Sequence, residues 1–170
     1  MNVKMRRLLV LLVLIGLLVL PVAQAGAKTV KTPFTGTEIL VEDISPGRES
    51  FPDKNLYQIR DAVSLFEVTA SDPRVSGEDL VKINANFKLV DPPVFVHGPM
   101  WGEFTISNPD GYWQGTWTGV RAKNGFSYIR FVGDGHGAYK GMQIHIRFER
   151  LTPDPTQSET MSGYIIERIE

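Results

Sequence analysis

Phe104, Trp113, Trp117, Phe126, Tyr128 and Phe131 fall within three successive short apolar stretches, and glycines stand between them at 102, 115, 119 and 125. Large rings separated by glycine either pack into a core or wall a cavity, because each glycine leaves volume beside a neighbouring ring. Arg130 shares the alternation of Phe126, Tyr128 and Val132, and Glu67 shares that of Val63 and Leu65. Either charge facing inward would need a partner or a ligand; facing outward, both would simply be solvated. Phe104, Trp113, Trp117, Tyr128 and Arg130 are therefore the candidate ligand-binding residues, and no side chain is singled out as catalytic.

Other chemistries find little support. His97, His136 and His145 are not spaced as ligands of one metal, so no metal site is expected. Ser64 and Ser127 lie within strand-like stretches, without a strand-turn-helix elbow, and the chain has no Cys, so covalent catalysis is not expected. Gly133-Asp134-Gly135-His136-Gly137-Ala138 formally matches a dinucleotide fingerprint, but the residues after it (MQIHIRF) alternate as a strand rather than a helix. The motif needs a helix N-terminus to hold phosphate, so a tight β-turn is the better reading and no cofactor is expected.

These residues must be positioned by strands. Candidate strands cover 37–42, 56–70 (broken near Asp61), 79–89, 99–107, 111–121, 125–133, 138–149 and 161–169. Loops are expected at 43–55, 90–98 and 150–160. Asn108-Pro109-Asp110-Gly111 and Asn124-Gly125 are strong tight-turn sequences, and strands joined by tight turns are antiparallel neighbours. The fold class is all-β, an antiparallel meander of about eight strands closed into a small barrel, with a two-sheet sandwich as the alternative. A symmetric register across the 108–111 turn pairs Ile106 with Trp113, Phe104 with Gly115, Gly102 with Trp117 and Met100 with Gly119, and puts Glu103 outside opposite Thr116. Val81, Ile83, Ala85, Phe87 and Leu89 form one inner set; Met142, Ile144, Ile146 and Phe148 form another.

The first 25 residues are of another kind. Lys4, Arg6 and Arg7 precede an apolar run from Leu8 to Leu20, followed by Pro21 and Ala23-Gln24-Ala25. That order is a secretory signal, and at about 1.5 Å per residue the run reaches only about 20 Å, short of a bilayer core of about 30 Å. Residues 1–25 are read as a signal peptide, 26–36 as a flexible leader and 37–170 as the barrel domain, secreted or otherwise extracytoplasmic. Cleavage leaves 15 basic against 19 acidic side chains, a net charge of −4. Such a domain has no general attraction for nucleic acid, and without its signal none for a membrane. With no disulfide available, packing and sheet closure must supply its stability.

Gly135, Gly137, Tyr139 and Gly141 match a Gly-x-Gly-x-aromatic-x-Gly turn, and with MWGEFTISNPDGYWQGTWTG (100–119) they make the chain resemble the allene oxide cyclase-like and dirigent-like barrels, including secreted bacterial members. The resemblance implies an eight-stranded antiparallel barrel with a mainly apolar cavity. Family members include cofactor-free cyclases of hydrophobic substrates and proteins that guide radical coupling; none of their catalytic residues can be placed on this sequence. Three readings follow. The first is a binder of a small hydrophobic molecule lined by Trp113 and Trp117. The second is a cofactor-free isomerase or cyclase in which Arg130, Tyr128 or Glu67 polarises the substrate. The third is a filled structural barrel.

Overall fold

A computed structural model describes residues 28–89, 97–152, 154 and 157–169; the signal segment lies outside them. Nine antiparallel strands form one sheet: β1 (Lys28–Ser45), β2 (Arg48–Asp53), β3 (Leu56–Ala70), β4 (Gly77–Lys88), β5 (Gly98–Asn108), β6 (Gly111–Arg121), β7 (Ser127–Gly137), β8 (Gln143–Arg150) and β9 (Glu159–Ile169). Eight close into a ring, β1-β9-β8-β7-β6-β5-β4-β3 and back to β1, while β2 pairs only with the first half of β3. The sequence supports closure because β4, β6, β7 and β8 largely alternate, and a ring pairs the backbone edges that an open sheet would expose.

Closure depends on a stretch read from sequence as a flexible leader. Lys28–Gly36 belongs to β1 and pairs residue for residue with β9, and Gly36, Thr37 and Glu38 pair with β3 on the other side as well. The residues of KTVKTPFTG look like a tail because they are small and polar, but Phe34 anchors them in the core at 3% exposure. β2 likewise lies inside the expected 43–55 loop. All six of its residues are exposed, so no alternation marked it.

The register across the 108–111 turn holds throughout: Phe104 faces Gly115, Gly102 faces Trp117, Met100 faces Gly119, and Glu103 lies outside against Thr116. Gly102 lets the Trp117 indole lie against the sheet and donate from Nε1 to the Lys82 carbonyl at 3.1 Å, where a Cβ would collide. The break expected near Asp61 is a bulge between Ile59 and Ala62, with Asp61 at φ 57°. Arg48 and Lys82 hold its carboxylate at 2.6 and 3.2 Å.

The two ends of the ring differ. At the lower end the 71–76 segment and the 138–142 turn plug the interior. Val75 is fully buried there, Trp113 stacks on Tyr139 with centroids 5.0 Å apart, and Trp113 Nε1 donates to the Arg74 carbonyl at 2.7 Å. Tyr139 Oη donates to Asn108 Oδ1 at 2.7 Å. Gly137 turns the chain at φ 66°, as a tight turn after β7 requires; Gly135 keeps an ordinary φ, and its lack of a Cβ matters because Tyr139 sits against it. At mid-height Phe131 packs against Phe104 (4.4 Å) and Phe148 (4.8 Å). The upper end, where β6 gives way to β7, is not filled in this way.

Candidate functional site

A cavity of about 210 Å³ occupies the upper half of the barrel. Phe66, Ile83, Met100, Trp117, Ile129 and Phe131 form its apolar wall. A cavity of about 150 Å³ accommodates benzene, so this one suits a body of roughly one ring with a small substituent. It is smaller than the roughly 300–1,000 Å³ of drug-sized sites.

Leu40 and Val81 add to the apolar wall, and most of the polar part of the wall arises from one row of inward residues. Arg121 ends β6 and pairs with Ser127 on β7, which pairs with Arg150 on β8. The Arg150 guanidinium binds the Glu159 carboxylate at the start of β9, and Glu159 pairs with Glu38 on β1. Next to this row Asp79 on β4, which pairs with Phe66 and Ile106, is wholly buried. Asp43, also in the wall, accepts a hydrogen bond from Ser64 Oγ at 2.7 Å.

Burial dominates the electrostatics. It pushes the Glu38 carboxyl well above the ordinary range, and the charges of Asp79 and Glu159 push it further. Burial also raises Asp79, to about 7. The two carboxyls lie close enough to influence each other, the neighbouring Glu38 and the Thr105 amide partly offsetting the burial of Asp79. Neither Asp79 oxygen has a hydrogen-bond partner. Burial raises Glu159 too, against the pull of Arg150. Burial and then the neighbouring Arg150 charge lower the Arg121 pKa. Arg121 Nε, Arg150 Nε, Glu38 Oε1 and Glu159 Oε2 are all buried without a hydrogen-bond partner.

The sequence-derived candidates divide. Trp117 lines the cavity; Phe104, at 1% exposure, packs in the core below it; Trp113 belongs to the lower plug. Tyr128 and Arg130 do not reach the interior: both lie on the outer face, Tyr128 at 43% exposure and Arg130 directly opposite Arg147. The reason is one residue in a turn. A two-residue Asn124-Gly125 hairpin would turn the parity of Tyr128 and Arg130 inward. Instead Lys123-Asn124-Gly125 forms a three-residue loop, with Gly125 at φ 83° and its N–H bonded to the Ala122 carbonyl. The added residue turns Ser127, Ile129 and Phe131 inward and flips the whole strand. Glu67 also faces outward. Among the described residues no group of three or more His, Asp or Glu side chains is arranged to hold a metal.

Glu38, Asp79, Glu159, Arg121 and Arg150 did not stand out in the sequence, although a signal was there. Asp79 continues the odd set Val81, Ile83, Ala85 and Phe87, and Arg150 continues the even set Ile144, Ile146 and Phe148. No family model, curated protein or solved structure matches the chain.

Proposed function

We propose that this chain is an exported barrel that binds a small, mainly apolar molecule in the upper cavity, against Trp117. The observation that carries this reading is the contrast in filling: the lower half of the interior is packed solid, whereas the upper half keeps about 210 Å³ beside a buried indole. A barrel built only for stability gains nothing from leaving apolar side chains beside unfilled volume, because apolar surface that is not buried contributes nothing to the fold. The signal-like order of residues 1–25, with Gly26 as the expected first residue after cleavage, supports a ligand met outside the cytoplasm. The test is calorimetric titration with toluene. One-to-one binding that is lost in Met100→Phe, which fills the void, is expected; no binding to the wild type would leave the filled-barrel reading.

A second reading, a cofactor-free isomerase or cyclase of the kind found among allene oxide cyclase-like barrels, rests on Glu38. A carboxyl in the cavity wall whose pKa burial pushes well above the ordinary range suits general-acid chemistry. Binding alone requires no such group. Under this reading Glu38→Gln abolishes turnover and spares binding.

A further inference from the structure

The polar wall is unevenly paired. Two guanidiniums, Arg121 on β6 and Arg150 on β8, face the cavity on either side of Ser127 on β7. Arg150 has a carboxylate, Glu159. Among the described residues Arg121 has none: it forms no ion pair, its Nε is buried without an acceptor, and the like charge of Arg150 acts on it. Neither of the other acids in the wall is paired with it. Asp43 accepts a hydrogen bond from Ser64, and Glu38 lies beside the buried Asp79. A half-buried cation beside a second cation loses water without gaining a counter-ion, which is costly unless something else supplies the anion.

Resting on the cavity reading above, we infer that the ligand is a small monocarboxylate of about one ring, its apolar body against Trp117, Met100 and Phe131 and its carboxylate on Arg121. Guanidinium and carboxylate match as planar donor and acceptor pairs, and Ser127, between the two arginines, offers a hydroxyl to the same head group. The small volume excludes a long acyl chain. It also makes the head group decisive, because so small an apolar body supplies little affinity.

Four probes of nearly equal shape separate the possibilities: benzoate, benzamide, toluene and benzamidine, titrated into the signal-free protein at constant pH and salt. Benzoate should bind at least about tenfold more tightly than benzamide, as expected of a charge-assisted hydrogen bond in a partly dry site. Benzamidine should bind more weakly than toluene. Arg121→Met keeps the side-chain length and removes the charge, and should bring benzoate down to the level of benzamide. Arg130→Met, on the outer face, should preserve the preference, and matching thermal midpoints would show both variants folded. Benzamidine binding best, benzoate no tighter than toluene, or a benzoate preference that survives in Arg121→Met would each overturn the carboxylate assignment while leaving the cavity reading in place. Failure of all four probes to bind would remove the cavity reading and this inference with it.

Discussion

The two ends of this barrel use the same residue types for opposite purposes. Trp113 and Trp117 lie four residues apart on one strand, point inward alike, and are both almost fully buried. Around Trp113 the side chains of the plug are answered: the indole by the Arg74 carbonyl, Tyr139 by Asn108, and Asn108 in turn by the Ser76 carbonyl at 3.1 Å. Around Trp117 the indole is answered, but the charged row above it keeps buried nitrogens and oxygens without partners. A protein pays for such groups only where something offsets them. The lower end therefore reads as the part that holds the ring shut, and the upper end as the part that receives something.

Substitution should separate the ends, and the largest effect belongs to the plug. Trp113→Ala removes a fully buried ring and a hydrogen bond, and should destabilise by about 3–5 kcal/mol in urea unfolding. Trp117→Ala should cost less, about 1–3 kcal/mol, because that ring already borders a void, and it should weaken toluene binding. Equal costs at the two sites would mean the upper end is packed as tightly as the lower.

Next in size is a pH effect confined to the upper end. An acid whose folded pKa is raised stabilises the fold fully below its unfolded value, near 4, and loses that contribution as pH rises through the folded value. For Asp79 the window runs from about 4 to about 7. Stability measured by denaturant titration should therefore fall as pH rises across that window. Asp79→Asn should flatten the curve and stabilise the protein at about pH 8 by up to about 4 kcal/mol, the bound set by the shift itself. A variant that is less stable than wild type at that pH would show that Asp79 is ionised and well served in the fold.

Smaller effects fall on the lower turn and the outer face. Gly137→Val forces a β-branched residue to φ 66° and should destabilise by about 1–3 kcal/mol without altering the affinity of folded protein for toluene. Tyr128→Ala and Arg130→Ala, on the exposed face, should each change stability by less than about 0.5 kcal/mol and leave toluene binding unchanged. A lost affinity in either would return these residues to the site.

Much of the fold was legible because alternation and turn chemistry agreed. The Asn108–Gly111 turn fixed a register that sets Phe104 opposite Gly115 and Trp117 opposite Gly102. What escaped notice had physical causes. Residues 28–36 are polar in composition, and only their pairing with the distant β9 makes them a strand. The face of β7 turned on whether the 123–125 loop held two residues or three, and Asn-Gly occurs in both kinds. The charged row was missed because a charge at the end of an apolar alternation usually marks where a strand leaves the core. Here the alternation continues and keeps Asp79 and Glu38 in the interior instead.

The claim that the upper end receives a small molecule while the lower end is shut is tested most directly by following the indole N–H resonances of Trp101, Trp113 and Trp117 during a toluene titration. Trp101, which lies near the Arg60 guanidinium on the outer face, serves as the surface reference. The Trp117 resonance should shift saturably while those of Trp113 and Trp101 stay in place. Three unmoved resonances, or a shift at Trp113 as large as that at Trp117, would contradict the account.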